Sequence, residues 1–275
     1  MESSPSKSTK ARYSIARWTD RNFKYAPQIF ITVILIAGHF KFGILNSYWS
    51  IIAAVTAAIA TELLLSRVLL KKWKNLQSAY ITGISVGILI RSTMIWPYIV
   101  VSAISIMSKY VFRFKEHHLF NPSNFGVSWM LFTASWSVAG LSVQWGNDLL
   151  SMSVIWALGL VIVWKAKRLH ITLTYVASFI LFAYIRTIIL GTPFYSELSP
   201  LTGPMYQLFI FFMITDPPSN VRNRGPQMLV VFLVALVEFF LRMNDMIYAP
   251  FYALFLVGPT AKLIDLKWFS GKDQK

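Results

Sequence analysis

Between Pro204 and Thr215 the chain reads PMYQLFIFFMIT, twelve residues without a charge, closed at once by Asp216, Pro217 and Pro218. As an α-helix rising about 1.5 Å per residue, such a run extends roughly 18 Å, well short of the roughly 30 Å hydrocarbon core of a bilayer. The rest of the chain decides what so short a run means. Its 275 residues are 56% hydrophobic and 13% charged, with a mean hydropathy of +0.55. Soluble domains are roughly 45–50% apolar and about 25% charged, so a soluble single-core globule is excluded. Ten-residue strands of alternating polarity, which an outer-membrane barrel needs, are absent as well. The expected fold class is an all-α polytopic membrane protein.

Working outward from the short run, the apolar periodicity predicts ten transmembrane spans, at residues 26–44, 49–70, 78–90, 94–112, 119–138, 150–164, 170–190, 204–215, 227–242 and 247–265. The 26 Lys and Arg test this count. Assigned to the tails and connections in order, 22 fall on one side of the membrane and 4 on the other. Cytoplasmic loops carry such an excess, which places both termini in the cytoplasm of a protein integral to the inner, or cell, membrane. The net charge of +15 then reflects topology, and no nucleic-acid partner is expected.

The span at 204–215 has a counterpart at 78–90, also too short to cross, in the equivalent place of the first half. Pro122 and Pro250, near the starts of the fifth and tenth spans, are 128 positions apart, and Ser78 and Pro204 are 126 apart. A nearly common offset predicts a duplicated five-helix unit. Because five is odd, the second copy enters from the opposite side, giving a 5+5 inverted repeat whose short, broken helices meet inside the bilayer. The organisation expected is a disordered basic cytoplasmic tail over 1–25, a first repeat over 26–138, a second over 150–265 and a cytoplasmic tail over 266–275. Residues 29–38 imitate a signal peptide, but His39, Phe40 and Lys41 follow where a small-residue cleavage site is needed. With no cysteine, the chain supplies no disulfide, thiolate zinc site or cysteine-ligated iron–sulfur cluster.

Two polar, proline-broken sequences are the candidate chemistry. In the first, His117 to Gly126 (HHLFNPSNFG), Asn121 is typed as an N-cap and Pro122 as the first helical residue. Free N–H groups and a positive helix end there suit an acceptor-rich or anionic ligand. In the second, Phe211 to Asn220 (FFMITDPPSN), Pro217 and Pro218 stop a helix and leave carbonyls beside the Asp216 carboxylate. Capping alone accounts for many such sequences. Here both fall on the cytoplasmic half, so Asn121, Ser123, Asn124, Thr215 and Asp216 are expected to share one pocket.

Glu62 and Glu238 are ionisable residues inside spans, and each is a candidate for an ion or proton path. Glu238 has Arg242 at i+4, so an in-helix ion pair is the structural alternative. The nearest arginine to Glu62, Arg67, is turned away, and a partner has to come from another helix. The four histidines, His39, His117, His118 and His170, are too scattered for haem ligation. Tyr48, Trp49, Trp96, Tyr98 and Trp164 fit interfacial aromatic belts. No catalytic motif and no metal-ligand spacing appears, so no catalytic or metal residue is assigned.

The stretch FFMITDP, Phe211 to Pro217, resembles the FFMATDP sequence of the RnfD/NqrB family, membrane subunits of the Rnf complex and of the sodium-pumping NADH:quinone oxidoreductase. Gln77 to Gly83 resembles that family's SALVTG region, Phe120-Asn121-Pro122 its FNP motif, and Gly258-Pro259 through Ile264-Asp265 its terminal P-x-ID. The wording HLFNPSNFG and Gln144-Trp145-Gly146 is closer to short stand-alone relatives, including those found with enediyne biosynthesis clusters. The likeness covers roughly residues 72–266. It implies a ten-helix, two-by-five fold and a flavin-bearing electron-transport subunit.

Family members attach FMN covalently to a threonine of an SGAT-type motif between the fifth and sixth helices. Here that connection, residues 139–149, contains no threonine, so no covalent FMN is expected. Thr192 and Thr202 lie in another connection without the motif. What the resemblance leaves is a non-covalent riboflavin, FMN or quinone near the broken helices, with other membrane redox subunits or a second copy as partners within the lipid bilayer. The competing reading is a small-solute or ion transporter or channel with Glu238 or Asp216 as its polar station. A third is a scaffold subunit with neither cofactor nor flux.

Overall fold

The computed structural model describes residues 26–42, 47–114, 117–140, 149–216 and 221–268. The expected tail over 1–25 and most of the C-terminal tail lie outside them. So do Gln144-Trp145-Gly146 and Pro217 to Asn220. Helices dominate: α1 Ala26–Phe42, α2 Tyr48–Leu70, α3 Gln77–Leu89, α4 Trp96–Val111, α5 Pro122–Thr133, α6 Leu149–Lys165, α7 Leu169–Leu190, α8 Phe194–Leu198, α9 Pro204–Leu208, α10 Arg224–Met243 and α11 Ala249–Trp268. The all-α class is as expected, and a helix stands at the place of each apolar run. Four of them, α2, α7, α10 and α11, are long and apolar enough to cross a membrane. The short α8, with a 3-10 turn at Ser199–Thr202, was not expected in its connection.

The burial pattern of α2 shows what kind of solvent the fold is built for. Its buried residues are Ser50, Ala54, Ala58, Glu62 and Ser66, one every fourth position, whereas Leu64, Val68 and Leu69 are exposed. Small and polar side chains face the bundle and large apolar ones face out. Hydrocarbon makes that arrangement favourable, because helices there gain by close backbone approach and internal hydrogen bonds instead of by hiding leucine. The outward faces of α7 (Leu173, Ile180, Leu181, Ile188) and α10 (Leu229, Leu233) follow the same rule. These faces are consistent with lipid contact.

Close approach has an identifiable device. A Cβ built on Gly83 of α3 would lie 2.6 Å from Val55 Cα of α2, and one on Gly126 of α5 would lie 2.6 Å from the Val101 carbonyl of α4. Within the first half α2 packs on α3 and α4, α4 on α5, and α1 on α3. Within the second, α7 packs on α10, α10 on α11, and α6 on α9. The halves touch where α1 meets α6 and α5 meets α11.

Small strands tie helix ends together. After α3, β1 (Ile90–Arg91) pairs antiparallel with β4 (Ala139–Gly140), and β2 (Arg113–Phe114) pairs with β3 (His117–His118) in the connection from α4 to α5. Beyond Thr133 the fifth apolar run leaves the helix, earlier than its expected end at 138, and turns through Ala134 to β4. Gly140 N–H donates to the Tyr248 hydroxyl at 3.0 Å, joining that turn to the start of α11.

The run that opened the sequence reading is shorter still as a regular helix. It is α-helical over Pro204–Leu208 and then widens to a π-helix over Phe209–Met213, with Ile214 N–H donating to the Phe209 carbonyl at 3.0 Å. Such widening frees a carbonyl from its usual i+4 partner, and the Thr215 hydroxyl donates to that of Phe211 at 2.6 Å. The bend also brings Phe211 against α6, where a Cβ on Gly159 would stand 2.5 Å from its ring.

Replacing Gly83 by leucine should force α2 and α3 apart. We expect Gly83→Leu to lower unfolding stability in detergent by about 1–3 kcal/mol, read as a lower melting temperature. An unchanged melting curve would contradict the close packing.

Candidate functional site

The first polar motif forms the cap it was expected to form. Asn121 is extended, at φ −66° and ψ 122°, and its side chain accepts the Asn124 N–H at 3.1 Å, with Pro122 opening α5. Asn124 is 2% exposed and donates from Nδ2 to the Phe251 carbonyl at 3.2 Å. The Ser128 hydroxyl donates to the same carbonyl at 3.2 Å, so α5 is bonded to the first turn of α11. The Asn124 Oδ1 is buried and has no partner. A buried acceptor left unmade costs about 1–3 kcal/mol, a cost that a bound N–H or O–H donor removes.

A narrow cleft with a cavity volume of about 20 Å³ lies against these two asparagines. Its walls are Leu119 and Phe120 before α5, Met213 and Ile214 at the end of the π turn, Val221, Val231 and Val234 at α10, and Gly258 and Pro259 of α11. The FNP and FFMIT sequences, remote in the chain, therefore face one apolar space with polar groups at one edge. The rings of Phe112, Phe120, Phe125 and Phe255 pack mutually at centroid distances of 4.8–5.4 Å beside it.

The other expected site residues are placed around the cleft and not in its wall. Ser123 is buried. Thr215 is buried with its hydroxyl committed to Phe211. Asp216 is half-buried, its N–H donating to the Met213 carbonyl at 3.3 Å, within electrostatic reach of Lys109, Arg168 and Lys262. It belongs to a charged cluster at the same end of the molecule.

Glu62 finds the inter-helix partner that its own helix lacks. Lys109 of α4 donates to Glu62 Oε2 in a buried ion pair, and its ammonium also donates to Ser78 Oγ of α3 at 3.3 Å. The Tyr110 hydroxyl donates to Glu62 Oε1 at 2.7 Å. Three helices are thereby joined at one carboxylate. The charge distribution alone assigns Lys109 to a connection, whereas its place beside a serine-rich face (Ser102, Ser105, Ser108) is the signal that it points inward.

Glu238 is 1% exposed and makes the in-helix pair with Arg242 at 3.0 Å. Two tyrosines unforeseen from the sequence complete it: Tyr175 of α7 and Tyr206 of α9 each donate their hydroxyl to the carboxylate, and Arg242 also donates to Tyr206. Arg242 and Arg186 both lie over the Phe179 ring, at 5.5 and 5.4 Å, and Arg186 is bound by Glu197 of α8 at 2.6 Å. The short α8 thus neutralises a cation that is 2% exposed.

At the end where the two motifs meet, His118 Nε2 is buried without a partner. Burial first, and then the positive charges of Lys109 and Lys262, push its pKa from 6.5 down to about 4. It is a neutral imidazole at physiological pH. Among the described residues no group of three His, Asp or Glu is arranged to hold a metal ion.

No family model matches this chain, and no curated protein matches it. The geometry of the cleft and its surroundings carries the functional reading.

Removing one member of the Glu62 and Lys109 pair leaves a buried charge alone. Glu62→Gln and Lys109→Met should each destabilise by about 3–5 kcal/mol, and the double variant should recover much of that. Additive losses in a double-mutant cycle of detergent unfolding would refute the pairing. Because the folded state holds His118 below its unfolded pKa, stability should fall as pH drops from 6.5 towards 4 and be retained above 6.5. His118→Gln should flatten that slope in melting curves taken across the window.

Proposed function

We propose that this chain is an integral membrane electron-transport subunit of the RnfD/NqrB type, holding a non-covalent flavin or quinone in the cleft beside Asn121 and Asn124. The observation that carries the reading is the unpaired, buried Asn124 Oδ1 at the edge of a narrow cleft with largely apolar walls, which an occupant has to widen to enter. Isoalloxazine is flat and largely apolar, with an N–H between two carbonyls on one edge. A buried acceptor asks for such a donor, which favours flavin over an oxidised quinone.

The proposed architecture is ten spans in a 5+5 inverted repeat, with both termini cytoplasmic in the inner membrane. The parallel packing of the two halves supports it, as do the contacts between equivalent helices, α1 with α6 and α5 with α11. So does a shared polar position. Lys109 and Glu238 each lie twelve residues after the proline in the first turn of their helix, α4 or α10. Lys109 is bonded to Ser78, and Glu238 to Tyr206, 128 positions later. That is the offset between Pro122 and Pro250.

The transporter alternative requires an intramembrane carboxylate that can exchange its partner. Glu62 is bound by a cation and one tyrosine hydroxyl, and Glu238 by a cation and two, which supports a structural role for both. Partners in this reading are lipid, and other redox subunits or a second copy.

Protein purified in mild detergent should carry extractable flavin or take it up, with its absorbance bleached on reduction. Asn124→Leu should weaken that binding about tenfold or more, since a buried hydrogen bond is lost. No flavin absorbance in any redox state, with or without added flavin, would overturn the reading.

A further inference from the structure

At its carboxyl end α2 passes from an apolar outward surface into a basic corner. Four cations, Arg67, Lys71, Lys72 and Lys74, fall between residues 67 and 74, and no acidic residue occurs in the sequence between Glu62 and Glu116. All four are exposed, and among the described residues none of them makes an ion pair. Glu62, the carboxylate that precedes them on α2, is taken by Lys109 and Tyr110. The stretch itself supplies no counter-charge.

The turn that ends α2 gathers these groups. Lys71 closes the helix in the left-handed conformation, at φ 53°, where glycine is the usual residue, and its N–H and that of Lys72 both donate to the Ser66 carbonyl. Reversal of the chain there brings the Trp73 ring under the Arg67 guanidinium, 5.7 Å from centroid to Cζ, and the Lys74 ammonium to 5.0 Å over the Tyr110 ring of α4. Arg67 and Lys74 are thereby held in place. Lys71 and Lys72 have no side-chain partner among the described residues.

The surface next to this corner is apolar. Leu64, Val68 and Leu69 are exposed on α2, as are Val111 and Phe112 at the end of α4, so the outward wall of a membrane-crossing helix reaches the basic groups. Trp73, 69% exposed, stands at that boundary, where an amphipathic indole is favoured in a bilayer. We propose that Arg67, Lys71, Lys72 and Trp73 form a binding site for the headgroup of an anionic phospholipid, with Lys74 at its edge. The phosphodiester meets the guanidinium fork and the ammonium groups, and the acyl chains lie on Leu64 and Val68. A soluble anion gains nothing from the indole or from the apolar wall, whereas a lipid uses all three. The inference needs only the membrane class and is independent of the cleft.

The test uses the full chain in mild detergent, presented with equal phosphatidylglycerol and phosphatidylcholine, and reads the retained lipids by native mass spectrometry. Wild type should retain phosphatidylglycerol about thirtyfold over phosphatidylcholine, a preference that falls as salt rises. Arg67→Gln and Lys72→Gln should each reduce the preference about fivefold, the effect of one cation at an anionic surface. Trp73→Ala should reduce it about threefold with no change of charge. Arg224→Gln, which removes a likewise exposed cation from α10, should leave it unchanged.

Equal retention of the two lipids by wild type, or a preference unchanged in both Arg67→Gln and Lys72→Gln, overturns the site. An equal loss in Arg224→Gln overturns it as well, since that result marks a general attraction of basic residues to anionic lipid. The Lys72 side chain has no partner among the described residues, so Lys72→Gln reports on binding even where Arg67→Gln lowers the melting temperature. Failure of the flavin titration leaves this site as it is, and failure of lipid retention leaves the cleft reading standing.

Discussion

A carboxylate inside a bundle whose outer surface is apolar has to be met by a cation or a donor from the bundle itself, because neither lipid nor distant water can solvate it. Glu62 and Glu238 impose that requirement at two places, and the helices are arranged around the answers. Lys109, Tyr110 and Ser78 bring α4 and α3 to α2, and Tyr175, Tyr206 and Arg242 bring α7 and α9 to α10. Burial of leucine cannot do this work when the outside is as apolar as the inside. Orientation comes from the few buried polar groups whose partners stand at fixed places on neighbouring helices.

The same logic separates the residues that hold the fold from those open to a ligand. Ser123, Thr215, Glu62 and Glu238 are buried, and the hydroxyl of Thr215 and both carboxylates are occupied within the protein. Asn124 and Arg168 each retain a buried atom with nothing bound to it. Of the two, Asn124 lies in the wall of the cleft, an acceptor beside apolar side chains. His118, next in the chain to Leu119 of the cleft wall, is kept neutral by burial within the physiological range.

The π widening of Phe209–Met213 shows how a local irregularity makes the cleft. A regular helix through FFMIT would rotate Met213 and Ile214 to other faces by the angle of the extra residue. The widened turn points them at Asn121 and Asn124, and the Thr215 hydroxyl covers the carbonyl that is released. The widened turn seats aromatic bulk: Phe211 fits against Gly159 of α6 where no side chain stands, and Phe209 sits edge-on to Phe251 at 6.1 Å.

Much of this was written in the chain itself. Apolar runs without charge set the all-α membrane class and the helix positions, since both depend only on local composition and periodicity. The Asn121 cap and the Glu238 and Arg242 pair were legible for the same reason, their partners being three or four residues away. Only the tertiary structure decided that Glu62 belongs to Lys109, that two tyrosines converge on Glu238, and that α8 neutralises Arg186. It also decided the π turn and the joining of His170 to Gln227. These contacts link residues on different elements, and their geometry is fixed by how closely helices approach at Gly83, Gly126 and Gly159, a distance that no local pattern encodes.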